Sequence, residues 1–329
     1  MPGLIRRLLG CVVLSAVVMS SAVAAERALL RVGILQFGTV SWELEVMQRH
    51  GLAAREGVEL RIVPLALKDA ANVAIQGGEV DLIANDWIWV SRMRSEGSDY
   101  VFAPYSQAVG GISVRPDAGV AQFADLRGKR LGVAGGALDK SWLLLRAYAR
   151  RTVGEDAASF LQPQFAAPPL LNELVLRGEL PAAMNFWHYG ARLAAAGMPE
   201  VLGMKEILAT LGIGDEMPLV GWVFGERWAG ANPAAIRGFL RASAAAKALL
   251  RESDAAWEAL RPSMRVEDEA TFVALRDGFR AGIPQAADEE GERAAARAFA
   301  ILAAEGGEAL VGRARELAPG TFWHGGGGR

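Results

Sequence analysis

The chain has 329 residues, 52% hydrophobic and 22% charged, which places it among folded globular proteins and excludes a disordered class. Its formal net charge of −2 leaves no basic footprint for nucleic acid. The length allows two lobes of ordinary domain size.

The N-terminus reads as a secretory leader over residues 1–25. Arg6 and Arg7 form a positive n-region, Leu8 to Met19 an apolar run, and Ala22-Val23-Ala24 or Val23-Ala24-Ala25 a small-residue cleavage site. That run is too short and wrongly flanked to be a good membrane span. The single cysteine, Cys11, lies inside the leader, so the exported chain is expected to carry no disulfide, thiolate nucleophile or cysteine metal ligand. The expected location is the periplasm.

Leu29 to Leu35 reads as a buried first strand and Trp42 to Ala54 as an amphipathic helix, with Thr39 or Ser41 as its cap. Val58 to Leu65 is the second strand. Lys68 to Gln76 is a helix stopped by Gly77-Gly78, and Val80 to Ala84 is the third strand. Asn85 and Asp86 cap a helix that runs to about Arg94. Strands alternating with helices imply a parallel sheet with helices on both faces, and ligands in such sheets sit beyond the carboxyl ends of the strands. Tyr100 to Val114 closes the first lobe and crosses to the second, with Gly110-Gly111 as the expected hinge or a close backbone approach.

The second lobe repeats the plan. Its strand Arg130 to Ala134 meets Gly135-Gly136, and Asp139, Lys140 and Ser141 then open a helix. This turn aims backbone N–H groups at a ligand. Gln162 to Ala166 is a strand, Pro168-Pro169 opens a helix ending at Gly178, and Pro181 to Asn185 is a strand running into Phe186-Trp187-His188-Tyr189. Leu219 to Phe224 returns to the first lobe. From Pro233 the chain is helical: Ala234 to Leu250, Ala255 to Leu260, Glu267 to Phe279, Ala286 to Ala304 and Glu308 to Leu317. No tandem repeat is evident. The expected organisation is a leader (1–25), lobe one (26–109), lobe two (110–218), a return strand with C-terminal helices packing on lobe one (219–320), and a flexible tail (321–329).

The candidate ligand-binding residues stand at the strand-to-helix junctions. Tryptophan offers a flat apolar face and one N–H donor. Trp42 and Trp87 are therefore expected as apolar walls with Asp86 as a polar anchor, while Trp89 and Trp142 read as packing. Thr39 belongs to the first junction. Gly136, Asp139, Lys140 and Ser141 supply the opposing face, Asn185, Trp187 and His188 line the second lobe, and Trp222 sits on the return strand near the hinge. Glu43, Asp86 and Asp139 put carboxylates near the cleft, so a cationic, zwitterionic or aromatic-heterocyclic ligand fits better than a free small anion. Catalysis needs a nucleophile or a tuned acid–base pair. No HExxH, GxSxG or P-loop pattern is present and no metal-ligand spacing stands out, so neither an enzyme nor a metal or cofactor is expected.

Two segments carry a family resemblance. Ala74 to Ile83 (AIQGGEVDLI) and Asp125 to Val133 (DLRGKRLGV) resemble runs of the periplasmic substrate-binding proteins of ABC importers of the nitrate/sulfonate/taurine type. That family also holds binding proteins for the thiamine pyrimidine precursor. The resemblance extends from about Arg31 to about Leu317. It implies an α/β type II periplasmic-binding fold, two Rossmann-like lobes closing on one small molecule, and delivery to an ABC permease and its ATPase by a monomer. A ligand-binding sensor, a carrier for another periplasmic system, and an enzyme related to thiamine-pyrimidine synthases are the alternatives.

Overall fold

The computed structural model describes residues 27–214, 217–266, 268–284 and 289–325. The expected leader, with Cys11, lies outside the described residues, as do the last four residues.

The first half begins β1 (Ala28–Leu35), α1 (Val40–Arg49), α2 (Leu52–Arg55), β2 (Val58–Leu65), α3 (Lys68–Gln76), β3 (Leu82–Asn85), α4 (Trp87–Ser95) and β4 (Tyr100–Ser106). After the crossing come β5 (Ile112–Val114), β6 (Arg130–Ala134), α5 (Lys140–Thr152), α6 (Ala157–Phe160), β7 (Gln162–Ala166), α7 (Pro168–Leu176), β8 (Ala182–Met184), α8 (Trp187–Ala195), β9 (Glu200–Leu202) and α9 (Met204–Thr210). The chain then makes β10 (Val220–Gly225), α10 (Glu226–Ala231), α11 (Pro233–Glu252), α12 (Asp254–Glu258), α13 (Arg261–Met264), α14 (Glu269–Ala281) and α15 (Glu289–Val311).

Two five-stranded sheets result, ordered β2-β1-β3-β10-β4 and β7-β6-β8-β5-β9. Each contains one strand antiparallel to both its neighbours: β10 enters the first sheet against β3 and β4, and β5 enters the second against β8 and β9. The sheets are therefore mixed rather than parallel throughout. At the crossing, a Cβ on Gly110 would lie 1.8 Å from the Asn185 carbonyl oxygen and one on Gly111 would lie 2.5 Å from that of Leu202. These glycines are required by close backbone approach.

The order of the sheets exposes a repeat that the sequence reading missed. Ser41, Trp42 and Leu44 recur at Ser141, Trp142 and Leu144, and Asn72, Gly78, Glu79, Asn85, Trp87 and Gly97 recur at Asn172, Gly178, Glu179, Asn185, Trp187 and Gly197. The hydrogen bonds recur with them. Asn85 Nδ2 donates to Asn72 Oδ1 at 2.6 Å, and Asn185 Nδ2 donates to Asn172 Oδ1 at 2.8 Å. Each strand-end asparagine also accepts the next residue's N–H, from Asp86 and from Phe186. Buried amides need such partners, which is why both halves keep the pair.

The C-terminal helices do not pack on the first sheet alone. α11 lies along α1 and α2, but α14 packs on α8, and α15 packs on both α5 and α4. One buried cluster joins Trp87, Ile88 and Val90 of α4, Leu143 to Leu145 of α5, and Ala298, Phe299 and Leu302 of α15. The expected break between Ala304 and Glu308 is a kink at the non-helical Gly307 (φ 58°) within α15, and the chain beyond Val311 is not helical. Nor is the start of the expected tail free. Thr321 and Phe322 are buried, Phe322 bridges to Phe102, and the Trp323 N–H donates to the Phe102 carbonyl.

Candidate functional site

A cavity of about 180 Å³ opens between the two sheets at the carboxyl ends of their central strands. Leu35, Thr39, Val40, Lys68, Ala84, Asn85, Asp86, Tyr105 and Ser106 line one side, with Ala108 to Gly110 at the crossing and Leu219 and Val220 at the return. Asp139, Lys140, Ser141, Asn185, Phe186, Trp187 and His188 line the other. Most of the wall is apolar, and the charged groups gather at one end.

That end is built where the starts of α3, α4 and α5 meet. Asp86 caps α4, its Oδ1 accepting the Trp89 N–H at 2.9 Å. Its Oδ2 accepts from Lys68 Nζ at 2.6 Å and from Lys140 Nζ at 3.4 Å, one lysine from each side of the cleft. Burial alone would raise the Asp86 pKa, but the two ammonium groups and the helix N–H outweigh it and hold the carboxyl well below its usual range. For Lys68, desolvation is likewise outweighed, chiefly by Asp86, and its pKa is raised. Asp139 caps α5 in the same manner, accepting the Ser141 N–H at 2.9 Å. Both acids are thus spent on helix caps. Each ammonium carries three donors, and those not engaged with Asp86 are available to a ligand.

The other end is aromatic. α1 and α8 begin without a side-chain cap. Trp187 stands edge-on to Trp42 with centroids 6.2 Å apart, and it packs so closely on α14 that a Cβ on Gly278 would lie 2.8 Å from its ring. His188 is 7% exposed, and its Nε2 lies 3.2 Å from the Phe37 carbonyl oxygen across the cleft. A carbonyl only accepts, so the proton sits on Nε2. Desolvation, partly offset by that bond, pushes the His188 pKa down to about 3, and the ring is neutral.

Of the expected site residues, Thr39, Asp86, Asp139, Lys140, Ser141, Asn185, Trp187 and His188 reach the cavity. Trp42, Trp87, Gly136 and Trp222 do not. Trp42 is buried among Trp187, Trp257 and Phe279. Trp87 is fully buried, its Nε1–H donating to the Pro218 carbonyl at 2.9 Å. Trp222 is buried with its Nε1–H on Ser243 Oγ. Gly136 is exposed on the turn outside the cavity. Glu43 also leaves the list of cleft carboxylates: it is fully buried behind the wall, accepting from Ser243 and from Lys247 Nζ at 2.6 Å. Lys247 stacks on the outer face of the Tyr105 ring, 3.9 Å from its centroid. Burial, with Glu43 nearby, pushes the Tyr105 pKa well up.

Lys68, Asn85, Tyr105, Ser106 and Phe186 are cavity residues that the sequence reading did not select. The repeat would have found two of them, since Asn85 and Phe186 stand opposite the chosen Asn185 and Asp86.

A family model described as "NMT1/THI5 like" matches residues 44–255. No curated protein matches significantly in sequence. Among solved structures, the alkanesulfonate-binding protein SsuA from Xanthomonas axonopodis pv. citri, bound to MOPS, is 18% identical with a TM-score of 0.70, over 91% of this chain and 99% of that one. The periplasmic aliphatic sulphonate binding protein SsuA from Escherichia coli is 18% identical with a TM-score of 0.71, over 90% and 92%. The periplasmic nitrate-binding protein NrtA from Synechocystis PCC 6803 is 13% identical with a TM-score of 0.59, over 81% and 75%. At these identities the likeness establishes the fold, which is that of two-lobed periplasmic binding proteins.

Proposed function

The chain belongs to the NMT1/THI5-like family, and from that membership and the cleft we propose that it is a periplasmic solute-binding protein and not an enzyme. It captures one small organic anion between its lobes and hands it to an ABC permease. The observation that carries the reading is the pair Lys68 and Lys140, which bring ammonium donors from opposite sides into a mostly apolar cavity.

On this reading the ligand is an anion rather than the cationic, zwitterionic or heterocyclic molecule favoured from sequence. That expectation rested on Trp42 and Trp87 as walls and on free carboxylates. The tryptophans lie in the core, and Asp86 and Asp139 are occupied as caps. What remains is a donor-rich end, where the Lys68 and Lys140 ammonium groups sit beside the capping carboxylates, and a mostly apolar body of the site, which together suit a polar anionic head on a carbon skeleton. The sulfonate- and nitrate-binding proteins that share the fold fit this reading. Ligand bound across both sides favours the closed arrangement, the form that docks on the permease.

A thermal-shift panel of sulfonates, carboxylates, nitrate, amines and pyrimidines tests the ligand class. A ligand at about 100 times its Kd stabilises by roughly 2.7 kcal/mol. Stabilisation by organic anions alone is expected. Stabilisation by amines or pyrimidines alone refutes the assignment.

A further inference from the structure

We infer that Asp86 is a built-in competitor for the anion seat: its carboxylate occupies the place between Lys68 and Lys140 that a ligand's anionic head takes, and so sets how strongly the site discriminates among anions. The inference rests on reading the cleft as an anion site.

The repeat supplies the first argument. Asp86 corresponds to Phe186, and α8 starts after Phe186 with no side-chain cap at all. The fold therefore does not need a carboxylate at this position. The neighbouring pairs that do serve the fold, Asn85 with Asn185 and Trp87 with Trp187, are kept. The second argument is the hydrogen-bond geometry. Asp86 Oδ1 is satisfied by the Trp89 N–H, and the seat is made by Oδ2 alone, which receives Lys68 at 2.6 Å and Lys140 at the longer 3.4 Å. The longer contact is the one that crosses the cleft. It is the one an incoming oxyanion takes over, leaving Asp86 on Lys68 and on its cap. The third argument is exposure: the Asp86 side chain is 7% exposed, so a second unpaired anion beside it is costly, and only a ligand whose other contacts offset that cost binds well.

Titration calorimetry with methanesulfonate, benzoate and nitrate, each on wild type, Asp86→Asn and Lys140→Met, tests this. Asparagine also caps helices, and Asp86→Ser serves if Asp86→Asn does not fold. Removing the competitor is expected to tighten anion binding about tenfold or more, the scale of a hydrogen bond to a charged group. It also narrows the spread of affinities among the three anions. Lys140→Met weakens all three. If wild type binds these anions and Asp86→Asn binds them no better, the competitor role is wrong while the anion site stands. If Asp86→Asn instead loses a 2-phenylethylammonium probe that wild type binds, Asp86 is an anchor for cations. If neither wild type nor Asp86→Asn binds any of the three anions, the anion reading itself falls, and this inference with it.

Discussion

His188 gives the stability of the protein a pH dependence that can be worked from its surroundings. Its folded-state pKa is pushed down to about 3 from the ordinary 6.5, because the ring is buried and Arg192 lies nearby, and the Nε2 bond to the Phe37 carbonyl offsets only part of that drop. The unfolded chain takes up a proton near 6.5 and the folded chain does not. Stability from the neutral ring is therefore full above about pH 6.5, falls as the pH drops, and levels out only near pH 3. Each pH unit inside that window is worth up to about 1.4 kcal/mol, so pH 5 costs about 2 kcal/mol relative to pH 7. For domains of 150–250 residues a kilocalorie moves the Tm by roughly 2–4 °C, which predicts a fall of several degrees. Asp86 does not confound the window: its pKa is depressed, so its contribution is lost only from about pH 4 downward. The assay is thermal unfolding by circular dichroism at fixed ionic strength from pH 7.5 to 5, on wild type and His188→Phe. His50 and His324 are present in both proteins and cancel. Wild type should lose Tm along this range more steeply than the variant, by about the amount above. Parallel curves would refute the buried neutral imidazole.

Two other substitutions separate core from site. Trp87→Ala removes a fully buried ring and orphans the Pro218 carbonyl, so urea unfolding should show a loss of about 3–5 kcal/mol; Trp187→Ala, at the cavity edge, should instead weaken ligand binding with a smaller stability loss. Lys247→Met leaves Glu43 buried without its cation and should cost about 3–5 kcal/mol, of which the double variant Glu43→Gln/Lys247→Met recovers a large part in the same measurement.

The parts of this fold that were legible in the sequence are those whose signal is local. β2, α3, β6 and β7 fall at their expected limits because each combines its own periodicity with a nearby stop, such as Gly77-Gly78 after α3. The antiparallel direction of β10 and β5 was not legible, because it is set by where the chain crosses between the two sheets and not by local sequence. The tryptophans show the same limit at the level of the site. Trp87 and Trp187 occupy equivalent places in the repeat and follow an asparagine at the same offset. Their local sequences predict one fate, yet the first is covered by α15 and by the return at Pro218, and the second sits where α14 leaves an edge open on the cavity. Lys68 was passed over because a lysine opening a helix reads as surface charge, and only the folded chain brings Asp86 to it.

The repeat also indicates which differences between the halves carry function. Where both halves need the same backbone chemistry, they agree: Asn72 and Asn172 pin the strand ends, and Gly78 and Gly178 end the helices with φ near +71° and +79°. Around the cavity, Asn85 and Asn185 aside, they diverge. Asp86 opposes Phe186, Lys68 opposes Pro168, Val40 opposes Lys140 and Ile88 opposes His188. These substitutions are not scattered. In this packing the start of α4 meets the start of α5, and the start of α8 meets the loop before α1, so the divergent residues divide the cleft into two related junctions. One is joined by an ion pair and the other by a neutral imidazole on a carbonyl. A repeated scaffold has thereby acquired a charged end and an aromatic end, and the proposed ligand would meet different chemistry at each.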